Sequence, residues 1–179
     1  TPGGPVAQDV QNQPADVSFI IDELLAASAD PESLLYNAAN GEKIAVGGHS
    51  NGGITTYGLV ANSCCLDGRI DAALVLSGVT SPFAGGEYQL TDTPPLLLVH
   101  GIYDDLILYN SAARTYNALS PVKGLLTLEE SDHGSYFSPQ DPAFDAVALA
   151  TTDFFEAVLR SDSAALARLP DDQTPGLAT

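Results

Sequence analysis

Apolar residues recur along this chain in two rhythms. Val17, Ile20, Ile21, Leu24 and Leu25 fall at helical spacing, with Asp16 near the start as a cap and Asp30-Pro31 beyond the end. An amphipathic helix is therefore expected from about Ala15. Four shorter apolar runs follow, at 43–48, 72–77, 95–100 and 124–129. They are continuous rather than alternating, as strands covered on both faces are. Helical candidates at 52–61, 106–119 and 142–159 are interleaved with them. This order predicts an α/β fold with a doubly wound, mostly parallel sheet and right-handed crossovers. Residues 1–14 carry three prolines and two glycines without periodicity and read as an irregular lead-in. Residues 15–169 form the expected domain, and 170–179 are expected to be a flexible tail.

Composition narrows the function classes. At 179 residues and 45% hydrophobic, the chain suits one domain with its own core. A net charge of −17 with only six Lys and Arg excludes a nucleic-acid surface, which needs clustered cations. Acidity of this size reads first as solubility and second as a high-salt or secreted setting. A secreted location is thus favoured over a cytoplasmic one. No apolar run approaches the roughly 20 residues of a membrane span, and TPGGPVAQDV lacks the charged start and apolar middle of a signal peptide. The chain contains no Met, so its start reads as a processing boundary. The adjacent Cys64 and Cys65 do not have zinc or redox spacing. Two buried thiols, or one paired to a cysteine outside this chain, are the expected states.

The chemistry concentrates in EKIAVGGHSNGGITTYGLV, where an apolar strand runs through Gly48-His49-Ser50-Asn51-Gly52 into a helix. This is G-x-S-x-G in the strand–turn–helix context that gives the motif its meaning. Such a turn forces the serine to positive φ and brings backbone too close for side chains two residues before and after, positions that Gly48 and Gly52 fill, while Gly53 adds close helix packing. Ser50 is the expected nucleophile. The helix N-terminus beside it makes the Asn51 N–H an oxyanion donor.

A serine needs a base, and three histidines are present. His49 neighbours Ser50 on a strand, so its side chain should point away and pack. His100 ends the third strand ahead of Gly101 and reads as a structural hydrogen-bonding group. His133, in the loop after the last strand and last in chain order, fits the base. The orienting acid should follow the third strand, where Asp104 is preferred and Asp105 reads as a solvated or helix-capping residue. Glu129, Glu130 and Asp132 read as solvated surface, and no metal or cofactor is implied. Tyr103, Tyr136 and Phe137 are candidates for lining a substrate pocket, with core or rim packing as the alternative.

These features resemble the α/β-hydrolase superfamily, and within it the bacterial branch of dienelactone hydrolases, chlorophyllase-like esterases and polyester hydrolases or cutinase-like lipases. GHSNGG resembles the nucleophile elbow. HGIYDD resembles the H-G-x-x-D acid loop and implies Asp104, and SDHGSYF resembles the histidine loop and implies His133. The chain departs from the pattern twice. Ile107, Leu108 and Tyr109 stand where the family has a proline soon after the acid. Upstream of the elbow there is one helix, where the family has several strands and an oxyanion loop.

The resemblance thus implies that only the C-terminal strands and helices of the α/β-hydrolase fold are present. The second oxyanion donor has no counterpart here, and strand 43–48 becomes an apolar edge. A missing N-terminal segment, another chain or a self-associating edge is expected to cover it. The implied activity is carboxylic ester hydrolysis through an acyl-enzyme on Ser50, acting on a small-molecule, lipid or polymer ester. An amidase, a prolyl-oligopeptidase-like peptidase or a non-catalytic hydrolase-like module is the alternative, and the isolated 179-residue chain is expected to show little activity.

Overall fold

The computed structural model describes residues 7–120, 122–173, 176, 178 and 179, so the first six residues of the lead-in lie outside the described residues. The remainder of the lead-in is not irregular. Ala7–Gln11 form a 3₁₀ turn, and helix α1 spans Gln13–Ala29. Asn12, not Asp16, occupies the position before the helix, and Pro14 sits in the first turn, where a missing N–H costs nothing. Asp16 lies inside that turn, its charge facing the positive end of the helix dipole.

The strands fall within two residues of the apolar runs: β1 Ile44–His49, β2 Ile70–Leu76, β3 Leu96–Gly101 and β4 Lys123–Leu128. They pair in the order β1-β2-β3-β4, every pair parallel. Helices α2 (Asn51–Ala61), α3 (Asn110–Ala118), α4 (Phe144–Arg160) and α5 (Ser163–Arg168) complete the fold. Helix α3 starts later than its apolar pattern suggests, because the N–H groups of Leu106 and Ile107 bond to the Asp104 side chain. Between α4 and α5 the chain reverses at Ser161, φ 55°, and Asp162 caps α5 by accepting from the N–H groups of Ala164 and Ala165.

Alternate residues of the central strands feed two cores, one on each face of the sheet. Leu74, Leu76, Leu97, Val99, Leu126 and Leu128 meet α4 through Val147, Ala150 and Phe154. Ala73, Val75, Leu96 and Leu98 meet α2 through Tyr57, Leu59 and Val60, with Leu119 beyond α3. Helices cover both faces, as a doubly wound sheet requires.

The two edges of the sheet differ. The segment expected to be a flexible tail returns to β4. Ala178 is buried and bridges Leu128, and Thr179 exchanges both backbone hydrogen bonds with Thr127, at 2.6 and 2.8 Å. The free ladder groups of the β4 edge give those terminal residues a partner, which composition alone does not reveal. The outer edge of β1 has no strand partner among the described residues. A groove of about 350 Å³ runs beside it, lined in part by Val17, Val46, Gly47 and Leu59. Of the α1 apolar stripe, Ile21 is buried, whereas Ile20 and Leu24 stay 53% and 46% exposed.

Cys64 and Cys65 are neither two thiols nor linked outside the chain, but are disulfide-bonded to each other across a Cα–Cα distance of 3.8 Å. Asn62 folds this turn back on itself, its carbonyl accepting the Cys65 N–H and its side chain the Cys64 N–H.

Leu98, 1% exposed, shows how much the two cores contribute. Leu98→Ala is expected to lower unfolding free energy in urea by about 2–5 kcal/mol. Leu34→Ala, at a fully exposed position, is expected to change it by less than about 0.5 kcal/mol.

Candidate active site

A parallel sheet sends the carboxyl end of every strand to one rim, where ligands of open α/β sheets bind. Ser50 follows β1, Asp104 follows β3 and His133 follows β4, so the three residues that the sequence singles out are delivered to the same rim.

Ser50 has φ 55° and ψ −116°, outside the regions that side-chain-bearing residues ordinarily adopt. Its N–H is held by the Leu76 carbonyl of the neighbouring strand at 3.0 Å, and its carbonyl accepts the Ile54 N–H at 3.0 Å. The backbone is thus clamped from both sides. Ser50 occupies the N-cap position of α2, yet its side chain makes no capping hydrogen bond, which leaves Oγ available. The Asn51 N–H, at the first turn of α2, likewise has no partner among the described residues.

Gly48 is sterically obligatory, because a Cβ there would overlap the Gly52 carbonyl and stand 2.8 Å from the Gly52 Cα. Gly52 differs from expectation. A Cβ on Gly52 would meet nothing within 4 Å, since its own Cβ direction points away from β1. The second tight glycine is Gly53, whose Cβ would come within 2.9 Å of the Gly78 Cα.

Asp104 and His133 are brought together: Nδ1 of His133 donates to Asp104 Oδ2 at 2.8 Å. The Asp104 side chain is fully buried and that of His133 is 16% exposed. Oδ1 of Asp104 accepts the N–H groups of Leu106 (3.0 Å) and Ile107 (2.8 Å). Burial opposes the charge of Asp104, but the Ile107 N–H, the His133 ring and the Leu106 N–H outweigh it and hold its pKa below the ordinary carboxylate value. A proline at position 107 would lack one of these donors, so the loop without the family's proline has its own means of fixing the acid. Asp105 is exposed and takes no part.

His100 is a structural hydrogen-bonding group, as expected, and touches the acid as well. Its buried Nε2 donates to the Ile107 carbonyl at 2.7 Å and lies 3.2 Å from Asp104 Oδ2. Burial dominates its titration and pushes its pKa below the usual 6.5.

His49 packs, as expected, against Tyr136 and Phe137, and it also reaches the histidine loop. Its ring lies 4.7 Å from that of His133, centroid to centroid, and its Nε2 donates to the His133 carbonyl at 2.6 Å. Strand alternation holds to the end of β1: His49 faces the same side as its partner Leu76 and meets Tyr136 and Phe137 there, and only its bond to the His133 loop lies beyond that rule. Tyr136 is buried in the core beneath the histidine loop, with its hydroxyl 2.9 Å from Ser77 Oγ and its pKa pushed up to about 12 by that burial. Phe137 and Tyr103 are 49% and 67% exposed, and Phe137 packs edge-on against His49. Asp132 accepts the N–H groups of Gly134 and Ser135, which shapes the turn after His133.

Ser77 was not singled out from sequence, although it stands at φ 46° and is completely buried. Its only signal is the Ser-Gly pair that closes β2. Among the described residues no cluster of three or more His, Cys, Asp or Glu could hold a metal ion, and no helix is long and apolar enough to cross a membrane.

No family model matches the chain, and no curated protein matches it in sequence. In structure it is similar to the acylaminoacyl peptidase of Pyrococcus horikoshii, with a TM-score of 0.65 at 17% identity over 83% of this chain. The chain spans 28% of that protein's length. The likeness establishes the fold: the four parallel strands and their helices are part of an α/β-hydrolase fold.

Two outcomes follow from the geometry of the rim. Gly48→Ala is expected to unseat the elbow, lowering the urea midpoint sharply, while Gly52→Ala leaves it nearly unchanged; equal effects of the two would contradict the steric assignment. His100 favours its neutral form when folded, so its contribution to stability is present above its unfolded pKa of 6.5 and is lost as pH falls below it. The urea midpoint of the parent chain should therefore fall from pH 7 to pH 5, and His100→Gln should flatten that slope.

Proposed function

We propose that this chain carries the catalytic residues of a serine hydrolase that cleaves carboxylic esters through an acyl-enzyme on Ser50. The observation that carries the reading is the 2.8 Å bond between buried Asp104 and His133 at the rim where Ser50 stands at φ 55°. Ser50 Oγ attacks the ester carbonyl while Nε2 of His133 takes its proton, then returns it to the departing alcohol. Asp104 holds the Nδ1–H tautomer and stabilises the imidazolium that forms. The Asn51 N–H, at the positive end of α2, donates to the developing oxyanion. Water, deprotonated by His133, then attacks the acyl-enzyme and releases the acid. Exposed Tyr103 and Phe137 offer apolar surface for a small-molecule, lipid or polymer ester, with Tyr136 packed against Phe137 from the core.

A second reading has its own support. The structural neighbour is an acylaminoacyl peptidase, and the same steps with an amine as leaving group describe amide cleavage. In either case the β1 edge, unpartnered among the described residues, and its groove favour a further segment, or another chain, that completes the sheet and supplies the second oxyanion donor.

A fluorophosphonate should label the folded chain at Ser50. Ser50→Ala should abolish labelling, and His133→Ala should slow it by about 10²–10⁴-fold, the usual contribution of a general base. A folded chain that resists labelling altogether would overturn the reading. A p-nitrophenyl ester turned over faster than the matching anilide favours the esterase, and the reverse order favours the peptidase.

A further inference from the structure

The geometry points to His49 as a positioning residue that aims the base, an inference that rests on Ser50 and His133 acting as nucleophile and base. Two groups of His133 are tied down. Its Nδ1–H is bonded to Asp104, and its own carbonyl accepts the Nε2–H of His49 at 2.6 Å. A carbonyl can only accept, so His49 must carry its proton on Nε2. Holding Nδ1 alone leaves the His133 backbone free to swing about that bond. The second attachment removes this freedom and fixes where Nε2 points.

The anchor itself is rigid. His49 is the last residue of β1 and is bonded directly to Ser50, whose backbone is clamped between Leu76 and Ile54. The element that strains the nucleophile into place thus also sets the position of the base. The surroundings are consistent with a built contact. Gly134 lies beside the His49 ring, with room for a Cβ at an ordinary packing distance of 3.7 Å, and Phe137 closes on the ring edge-on at 4.9 Å. The far side of the same loop is fastened by Tyr136 to Ser77. The loop that carries the base therefore touches the ends of both β1 and β2, and His49 is its polar contact on the nucleophile side.

The test compares His49→Phe, which fills the ring volume without a donor, with His49→Gln, which keeps an N–H at similar reach. His49→Phe should slow fluorophosphonate labelling of Ser50 by about tenfold to a hundredfold, the range expected for a misplaced catalytic group. It should also broaden the downfield His133 Nδ1 proton resonance, with an unchanged urea midpoint, and His49→Gln should restore most of both. Equal labelling rates and an unchanged resonance in a folded His49→Phe chain would refute the assignment. In the parent chain the His49 Nε2 proton should be protected from solvent exchange, and rapid exchange would refute it even if His49→Phe fails to fold. Should the parent chain not label, the serine hydrolase reading falls, while the two proton resonances still decide whether His49 holds the loop.

Discussion

The backbone of Gly48 and that of Gly52 approach so closely that no side chain fits on Gly48, and the site is built outward from this contact. The close approach lets β1 turn into α2 within a single residue. That residue, Ser50, accepts a φ of 55°, a conformation that ordinarily costs on the order of 1–3 kcal/mol. The neighbouring strand compensates by bonding its N–H, and the close seating of Gly53 on Gly78 locks α2 to the end of β2. The direction of α2, the free Asn51 N–H and the open Ser50 Oγ all follow. Ser50 can hold this strain because two glycines near it remove the steric obstacle.

Around this turn the rim assembles a buried polar network, a costly arrangement unless each group is satisfied. An ionised Asp104 with no donors would be strongly disfavoured in the core. Here one oxygen receives two backbone N–H groups and the other faces His133 and His100. His100 also holds the Ile107 carbonyl, so the loop between β3 and α3 is organised about the acid rather than by a proline. The electrostatics of the acid and the conformation of its loop share the same hydrogen bonds. A change that loosens one loosens the other.

The strands, the elbow, Asp104 and His133 were all legible in the sequence because each has a local signature: an unbroken apolar run, a glycine spacing, or a polar residue just past a strand. The contacts that depend on where loops return were not. Strand alternation gives the packing of His49 but not its bond to the His133 carbonyl, which depends on the path of the loop. Ser77 and Tyr136 meet across 59 residues of sequence with no shared pattern. Gly52 carried the motif spacing, but the steric need lies at Gly53, whose close packing the motif suggests and whose partner, Gly78, it does not. The pairing of Thr179 with Thr127 is invisible in composition, since a polar terminus looks the same whether free or seated on an edge.

The charge of the chain bears on the β1 edge, which is open among the described residues. Of the six cationic side chains, Arg69, Arg160 and Arg168 are engaged with carboxylates and Lys123 with the carbonyls of Tyr116 and Leu119. The field reaching outward is therefore nearly of one sign. In colloidal terms two copies approaching edge to edge are like-charged particles, held apart by a repulsion that fades beyond about 10 Å at 0.1 M salt. A bare parallel strand ordinarily templates aggregation, and here acidity acts as its guard. That guard weakens as ionic strength rises, so the colloidal stability of the chain and the exposure of β1 are governed by the same counterions.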